Sequence, residues 1–368
     1  MSKQTLVFPA RPIMRFFFLP GLLALALTSC EEASAPPPPD AAVVHAVTET
    51  DPVRSGDDAA DDPAIWVNVQ NPSASLVIGT DKQSGIEVYD LNGGRVQFIP
   101  AGLTNNIDLR EFTQDSNWSA LAAASNRSAN TISLFLIDQE GTLTWLRDSE
   151  IATGLAEVYG LCMFRNDQGL QVFVNDKDGR FQQWGLSLAA AGKSTEPVQF
   201  HAELLREFAV PSQPEGCVAD DTEQRLFLGV EEEGIRTVSA RHDAPADLQS
   251  VMDIDGTILS ADVEGMSLYV SDNGGYLVVS SQGSNSYAIF DRLPPFSYRG
   301  SFVVADREDG LIDGTQETDG LDVASVSLGP DYPEGIVVVQ DGSNQLPAER
   351  QDFKYLSWRD IATSLGLH

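Results

Sequence analysis

Apolar and polar residues alternate along most of this chain in short runs, and the runs come in sets. Six apolar stretches end in polar residues: LVIGTD at Asp81, ALAAASN at Asn126, VFVND at Asp176, LFLGVEE at Glu232, YLVVSSQ at Gln282 and GIVVVQD at Asp341. Each follows a turn rich in acid, amide or glycine: Asp61-Asp62-Pro63, Asn106-Ile107-Asp108, Val158-Tyr159-Gly160, Pro214-Glu215-Gly216, Val263-Glu264-Gly265 and Thr318-Asp319-Gly320. A further alternating run usually comes next, as in IEVYDL, ISLFLID, FQQWGL and YAIFDR. Period-2 patterning and β-branched residues between Gly, Asp and Asn turns predict strands, with almost no helical period between them. Six units of roughly fifty residues, each holding three or four short strands, predict an all-β fold, a six-bladed β-propeller. A two-sheet sandwich is the competing architecture, and six matching units argue against it. Strands from both chain ends are expected to close the ring, with residues 43–50 (VVHAVTET) as the N-terminal contribution.

The first twenty-nine residues stand outside this pattern. Lys3, Arg11 and Arg15 flank a twelve-residue apolar run, residues 16–27. As a helix that run reaches only about 18 Å, too short to span a bilayer and suited to an export signal. Leu27-Thr28-Ser29-Cys30 resembles a bacterial lipoprotein processing box, with Cys30 as the lipidated residue; a plain cleaved signal with an incidental cysteine is the other reading. Met14, just before Arg15, is a second candidate start. Residues 30–42 (CEEASAPPPPDAA) carry four consecutive prolines and predict an extended, hydrated tether that buries nothing and leaves the propeller untouched. The propeller domain is then residues 43–368.

Composition fits that division. Apolar residues make up 42% and charged residues 21%, enough apolar side chain for a core in 368 residues and against general disorder. The charge is lopsided, with 54 acids against 23 Lys and Arg for a net −31, and removal of residues 1–29 takes it to −34. Such a chain repels nucleic acid and anionic headgroups, so nucleic acid is excluded as a partner and a membrane is met only through the lipid anchor. An anionic ligand needs something cationic between itself and the protein.

Two groups of residues supply that. Asp61, Asp62, Glu215, Glu231, Glu232, Glu264, Asp313, Asp319 and Asp341 fall at the turns where innermost strands begin or end, so they are placed to converge near the channel. Converging carboxylates repel unless their pKa values rise or a metal binds. Oxygen ligands without His or Cys clusters favour calcium over zinc or copper. Asp138, Asp167 and Asp247 read as solvated surface. Lys82, Arg127 and Lys177 follow the first three polar strand ends in the same register, and such cations pair with phosphate oxygens. Carboxylates holding metal beside an arc of cations make a phosphate-processing site.

At this point the chain resembles the β-propeller phytases, calcium-dependent enzymes that release phosphate from myo-inositol hexakisphosphate. The likeness runs over about residues 47–364. Its carriers are DDPAIWV (61–67), GTDKQSGIEVYDL (79–91), NNIDLR (105–110), SNRS (125–128), EVYGLC (157–162), NDKDGRFQQW (175–184) and PEGCVADD (214–221). DVEGMSLY (262–269), SSQGSNSYAIFDR (280–292), DGTQETDGLDV (313–323), QDGSN (340–344) and FKYLSWRDIA (353–362) complete it. The resemblance implies that Glu49, Asp61, Glu215, Glu231, Asp313 and Asn344 contribute to a catalytic cluster of several calcium ions. It implies that Asp58, Asp62 and Glu264 assist, and that Lys82, Arg127, Tyr159 and Lys177 bind substrate phosphates. Asp61, Glu215, Tyr159 and Lys82 form the implied catalytic set. Gln345-Leu346 replace an acid that relatives often carry after QDGxN, which bears on one calcium position.

Metal-activated water then serves as the nucleophile, and no protein nucleophile is required. The four histidines, His45, His201, His242 and His368, lie outside the repeat motifs, and no RHG-type motif supports a histidine acid phosphatase. Two other functions compete: a one-metal lactonase-like or esterase-like propeller, against which the three cations argue, and a non-catalytic lipoprotein platform. The expected protein is an exported monomer acting on phytate as its calcium salt. Cys162 and Cys217 each follow the glycine of neighbouring repeats, as a disulfide or as two buried thiols.

Overall fold

In the computed structural model, which describes residues 1–2, 34–112, 117–189 and 198–367, the strands pair into six sheets arranged as a six-bladed β-propeller. Blade 1 spans residues 60–99, blade 2 104–152, blade 3 158–209, blade 4 214–253, blade 5 263–305 and blade 6 321–357. Each innermost strand pairs with the second strand of its own blade, and the meander then runs outward.

The core is divided among the blade interfaces, and this explains the sequence of the strands. In Thr131–Asp138, Leu134 and Leu136 pack toward blade 3, while Phe135 and Ile137 pack toward blade 1. Both faces of the sheet are therefore buried, so the strand reads TISLFLID instead of alternating between core and water. Six hydrophobic clusters, one at each blade interface, repeat this arrangement around the ring.

Ring closure divides the expected N-terminal strand in two. Thr48–Glu49 pairs antiparallel with Asp352–Ser357, placing Glu49 opposite Lys354 and completing blade 6. Ala42–His45 instead runs parallel to Tyr298–Ala305 as a fifth strand of blade 5. The residues just before it correct the expectation of a free tether. Pro38 is buried, and the Ala35 N–H donates to the Gly283 carbonyl at 2.7 Å. Proline supplies an apolar ring and fixed extended backbone, which suit docking as well as hydration. The expected export signal and Cys30 lie outside the described residues.

Among the described residues the single α-helix is Trp358–Leu365, which buries Trp358, Ile361 and Ala362 and stops at Gly366 in the left-handed region. It packs beside the chain-end strands of blades 5 and 6.

Candidate metal and phosphate site

Each blade brings a residue to the axis by the same local device. In blades 1 to 5 the innermost strand loses register in its first turn: between Ala60 and Pro63, Thr104 and Ile107, Val158 and Leu161, Pro214 and Cys217, and Val263 and Met266. A bulge leaves residues unpaired and re-aims their side chains. The residues inside these bulges are Asp61-Asp62, Asn105-Asn106, Tyr159-Gly160, Glu215-Gly216 and Glu264-Gly265. In blade 6 Asp319-Gly320 precede the strand at the same place.

The glycines set how tightly the ring closes. A Cβ on Gly160 would stand 1.9 Å from the Glu215 carbonyl oxygen, one on Gly216 would stand 2.2 Å from that of Glu264, and one on Gly320 would collide with Asp62. Neighbouring backbones touch there, so the acids beside them are forced together.

The result is a buried carboxylate group. Oxygens of Glu215, Glu231 and Glu264 lie within 4.8 Å of one another, with all three residues buried. Asn105 Nδ2 donates to Glu215 Oε1 at 2.7 Å, and Tyr159 also bonds this carboxylate. Gln213 Nε2 donates to Glu231 Oε1 at 2.7 Å. Glu215 and Glu264 share a hydrogen bond, which requires a proton on one of them, and burial together with Glu215 pushes Glu264 well above the usual carboxylate range. Burial, partly offset by Gln213, pushes Glu231 up to about 7. Asp61 is pushed up to about 7 and Asp319 to about 8, burial outweighing the opposing pull of Lys82 in both. Asp61 Oδ2 and Glu264 Oε2 are buried without a hydrogen-bond partner. The clustered hard oxygens of Glu215, Glu231 and Glu264, with Glu264 Oε2 unsatisfied, fit a cation such as calcium.

The cations sit on the opposite arc for a local reason. Asp81 Oδ1 accepts from the Gln83 N–H, Asn126 Oδ1 from Ser128, and Asp176 Oδ1 from Asp178 and Arg180, at 3.0 to 3.1 Å. These are the same side-chain-capped turns in blades 1, 2 and 3. Lys82, Arg127 and Lys177 each occupy the position after the cap. Lys82 is not free, however: its Nζ meets Asp58 at 2.7 Å, Asp319 at 3.0 Å and Asp61 at 3.3 Å, and these acids raise its pKa against the cost of burial. Half-buried Arg127 reaches the Lys82 carbonyl, and Lys177 Nζ lies 4.4 Å over the Tyr159 ring and 3.6 Å from Glu157.

Contacts among the expected calcium ligands fall into two sets. Asp61, Glu215, Glu231 and Glu264 meet at the axis, with Asp58 at the exposed rim bonding Lys82. Asp62 turns the other way and accepts from the Ile107 N–H of blade 2 at 3.0 Å, which ties blades together. Glu49, Asp313 and Asn344 belong to a second group in blade 6, around fully buried Lys354. Its Nζ meets Glu49 at 2.6 Å, Asp313 at 2.7 Å, Asp352 at 3.2 Å and Asp341 at 3.5 Å. Gln345 donates its backbone N–H to Asp313. Sequence reasoning missed Asn105, Asp352, Lys354 and Gln282, whose Nε2 donates to Asp319 Oδ1 at 2.5 Å, and it left Asp319 out of the ligand set. Asn105 was findable, since it occupies the repeat position of Asp61 and Glu215. Nothing local marks Lys354 as a buried cation.

Cys162 and Cys217 form a disulfide between the innermost strands of blades 3 and 4, with Cα atoms 5.7 Å apart.

Comparison with known proteins adds identity to the geometry. The sequence model of the Phytase family matches residues 18–368. A 3-phytase of Bacillus subtilis (strain 168) is 42% identical over 334 residues, covering 88% of this chain and 85% of that protein. A solved protein of unknown function from Desulfotomaculum acetoxidans DSM 771 is 14% identical, with a TM-score of 0.44 over 67% of this chain and 73% of that one.

Proposed function

The chain belongs to the Phytase family and is a phosphomonoesterase that hydrolyses phytate; on that premise we propose that it works with calcium held at the axial carboxylates. The observation that carries the proposal is the meeting of Glu215, Glu231 and Glu264 within 4.8 Å beside an arc of cations. Bound there, the cation supplies charge that offsets a polyanion's approach to acidic walls and polarises the P–O bonds it meets.

The protein's own groups do the rest. Lys177, Arg127 and Lys82 present N–H donors on one side, and phosphate oxygens compete for Lys82 with the exposed Asp58. Tyr159, held between Lys177 and Glu215, lends a hydroxyl at the border of the two arcs. Asn105 and Tyr159 orient Glu215. Asp61 has one oxygen on Lys82 and the other unpartnered, so Oδ2 is the atom that receives the proton of the attacking water. The water oxygen bonds to phosphorus as the ester P–O bond breaks, and the inositol oxygen takes its proton from solvent water, so that one water is consumed and phosphate and an inositol hydroxyl are formed. In blade 6, Glu49 and Asp313 contact Lys354 and Asn344 contacts Asp352.

Phosphate release from phytate, measured with calcium, with a chelator and with calcium restored, tests the reading. Full hydrolysis after exhaustive chelation would sink it. The protein is further proposed to be an exported monomer anchored through Cys30. Among the described residues no helix is long and apolar enough to cross a membrane. Cell fractionation of wild type and Cys30→Ser tests the anchor: the wild type goes with membranes and the variant is soluble and active.

A further inference from the structure

The disulfide lies on a seam. Innermost strands of neighbouring blades are not laddered to one another, since each pairs only within its own blade. Blades 3 and 4 are therefore joined at the axis by packing and single hydrogen bonds. Asn175 Nδ2 donates to the Glu215 carbonyl at 3.3 Å, and the Arg165 N–H donates to Asp221 Oδ1 at 3.0 Å. Cys162 stands three residues after Tyr159, and Cys217 two after Glu215.

The same seam is where the site changes character. Lys82, Arg127, Lys177 and Tyr159 come from blades 1 to 3, while Glu215, Glu231 and Glu264 come from blades 4 and 5. Tyr159 reaches across the seam to Glu215.

We propose that the Cys162–Cys217 bridge is a positioning device: it fixes the phosphate-holding arc to the cation-holding arc, so that the cation-free protein keeps its carboxylates in binding geometry. The inference rests on the reading of the two arcs given above. Without a counterion Glu215 is repelled by Glu264 of blade 5, and the Glu215 strand meets blade 3 across a seam that has no backbone ladder to hold it. A covalent link across it removes that freedom before the cation arrives, and preorganisation of this kind is read as affinity. A cross-link that acted only on the unfolded chain would raise stability and leave cation affinity unchanged.

The test compares the mature wild type with the double variant Cys162→Ser/Cys217→Ser. Calcium binding is followed by calorimetry without phytate, and KM and kcat are then measured at saturating calcium. The expected result is calcium affinity about tenfold weaker and KM several-fold higher, with kcat within twofold of wild type. A variant whose melting temperature falls while calcium affinity and KM stay at wild-type values overturns the proposal. If the variant does not fold, the calcium titration is repeated on wild type after dithiothreitol has opened the bridge, with far-UV circular dichroism showing the fold retained. Unchanged affinity there overturns the proposal equally. Failure of the wild type to release phosphate from phytate would count against the functional reading and leave the calcium titration to judge the bridge.

Discussion

Two groups of buried acids lie in this ring, and their cations are arranged in opposite ways. In blade 6 the cation is central: Lys354 Nζ stands within 2.6 to 3.5 Å of four carboxylates and is shielded from solvent. At the axis the cation is peripheral, because Lys82 reaches Asp58, Asp61 and Asp319 while Glu215, Glu231 and Glu264 meet one another. Their origins differ too. Glu49, Lys354, Asp341 and Asp352 come from strands already paired in one sheet, with Glu49 opposite Lys354 and Asp341 opposite Asp352. The axial acids come from four blades and meet only because the ring closes. The first group clasps the two chain ends with an internal cation, and the second is left for a cation from outside.

Removing the internal cation is the most severe way to break this contrast. Lys354→Met leaves three buried carboxylates and the partly exposed Glu49 without their counter-charge, and stability in urea should fall by about 3–5 kcal/mol. Wild-type stability in this variant would mean that the clasp is not held by Lys354. Glu215→Ala acts oppositely: kcat on phytate should drop about 10²–10³-fold through loss of an electrostatic contact to the reacting centre. Because one repelling acid is gone, the cation-free melting temperature should hold steady or rise, and a scan in chelator checks this. Lys177→Ala, at the exposed end of the phosphate arc, should raise KM about tenfold, near the low end for a charge-assisted hydrogen bond. Its melting temperature should not move.

The gentlest probe is pH. Burial pushes Asp61 and Glu231 to about 7 and Asp319 to about 8 in the cation-free protein. Between about pH 4 and 8 the folded chain therefore holds protons that the unfolded chain has released, so stability falls as pH rises. Melting temperatures in chelator should decline by a few degrees from pH 5 to 8, and calcium should flatten the curve. An equal slope with and without calcium would separate these carboxylates from the cation site.

How far the sequence could be read varies between residues. Glu215 and Glu264 stand beside glycines at matching repeat positions, and matching positions in a ring share one place around its axis. Lys82, Arg127 and Lys177 were legible for the same reason, each following a capped turn. Glu49 and Asp313 are implied as ligands by family likeness alone, because their contacts with Lys354 join residues far apart in the chain and leave no mark in the repeat pattern. The docking of residues 34–41 was illegible because a proline run is compatible with water or with a groove, and only Gly283 and its surroundings decide between them.

The sequence by itself determined what repeats: strand patterning, six units, bulge residues, turn cations and an excess of acid that demands a partner. Those features are local or periodic, and periodicity converts chain position into position around an axis. Only the tertiary structure decided which acids share a cation. That depends on separations of a few ångströms between residues far apart in the chain, such as Lys82 and Asp319 or Glu49 and Lys354. The fall of Coulomb energy with distance makes those few ångströms the difference between a clasp and a binding site.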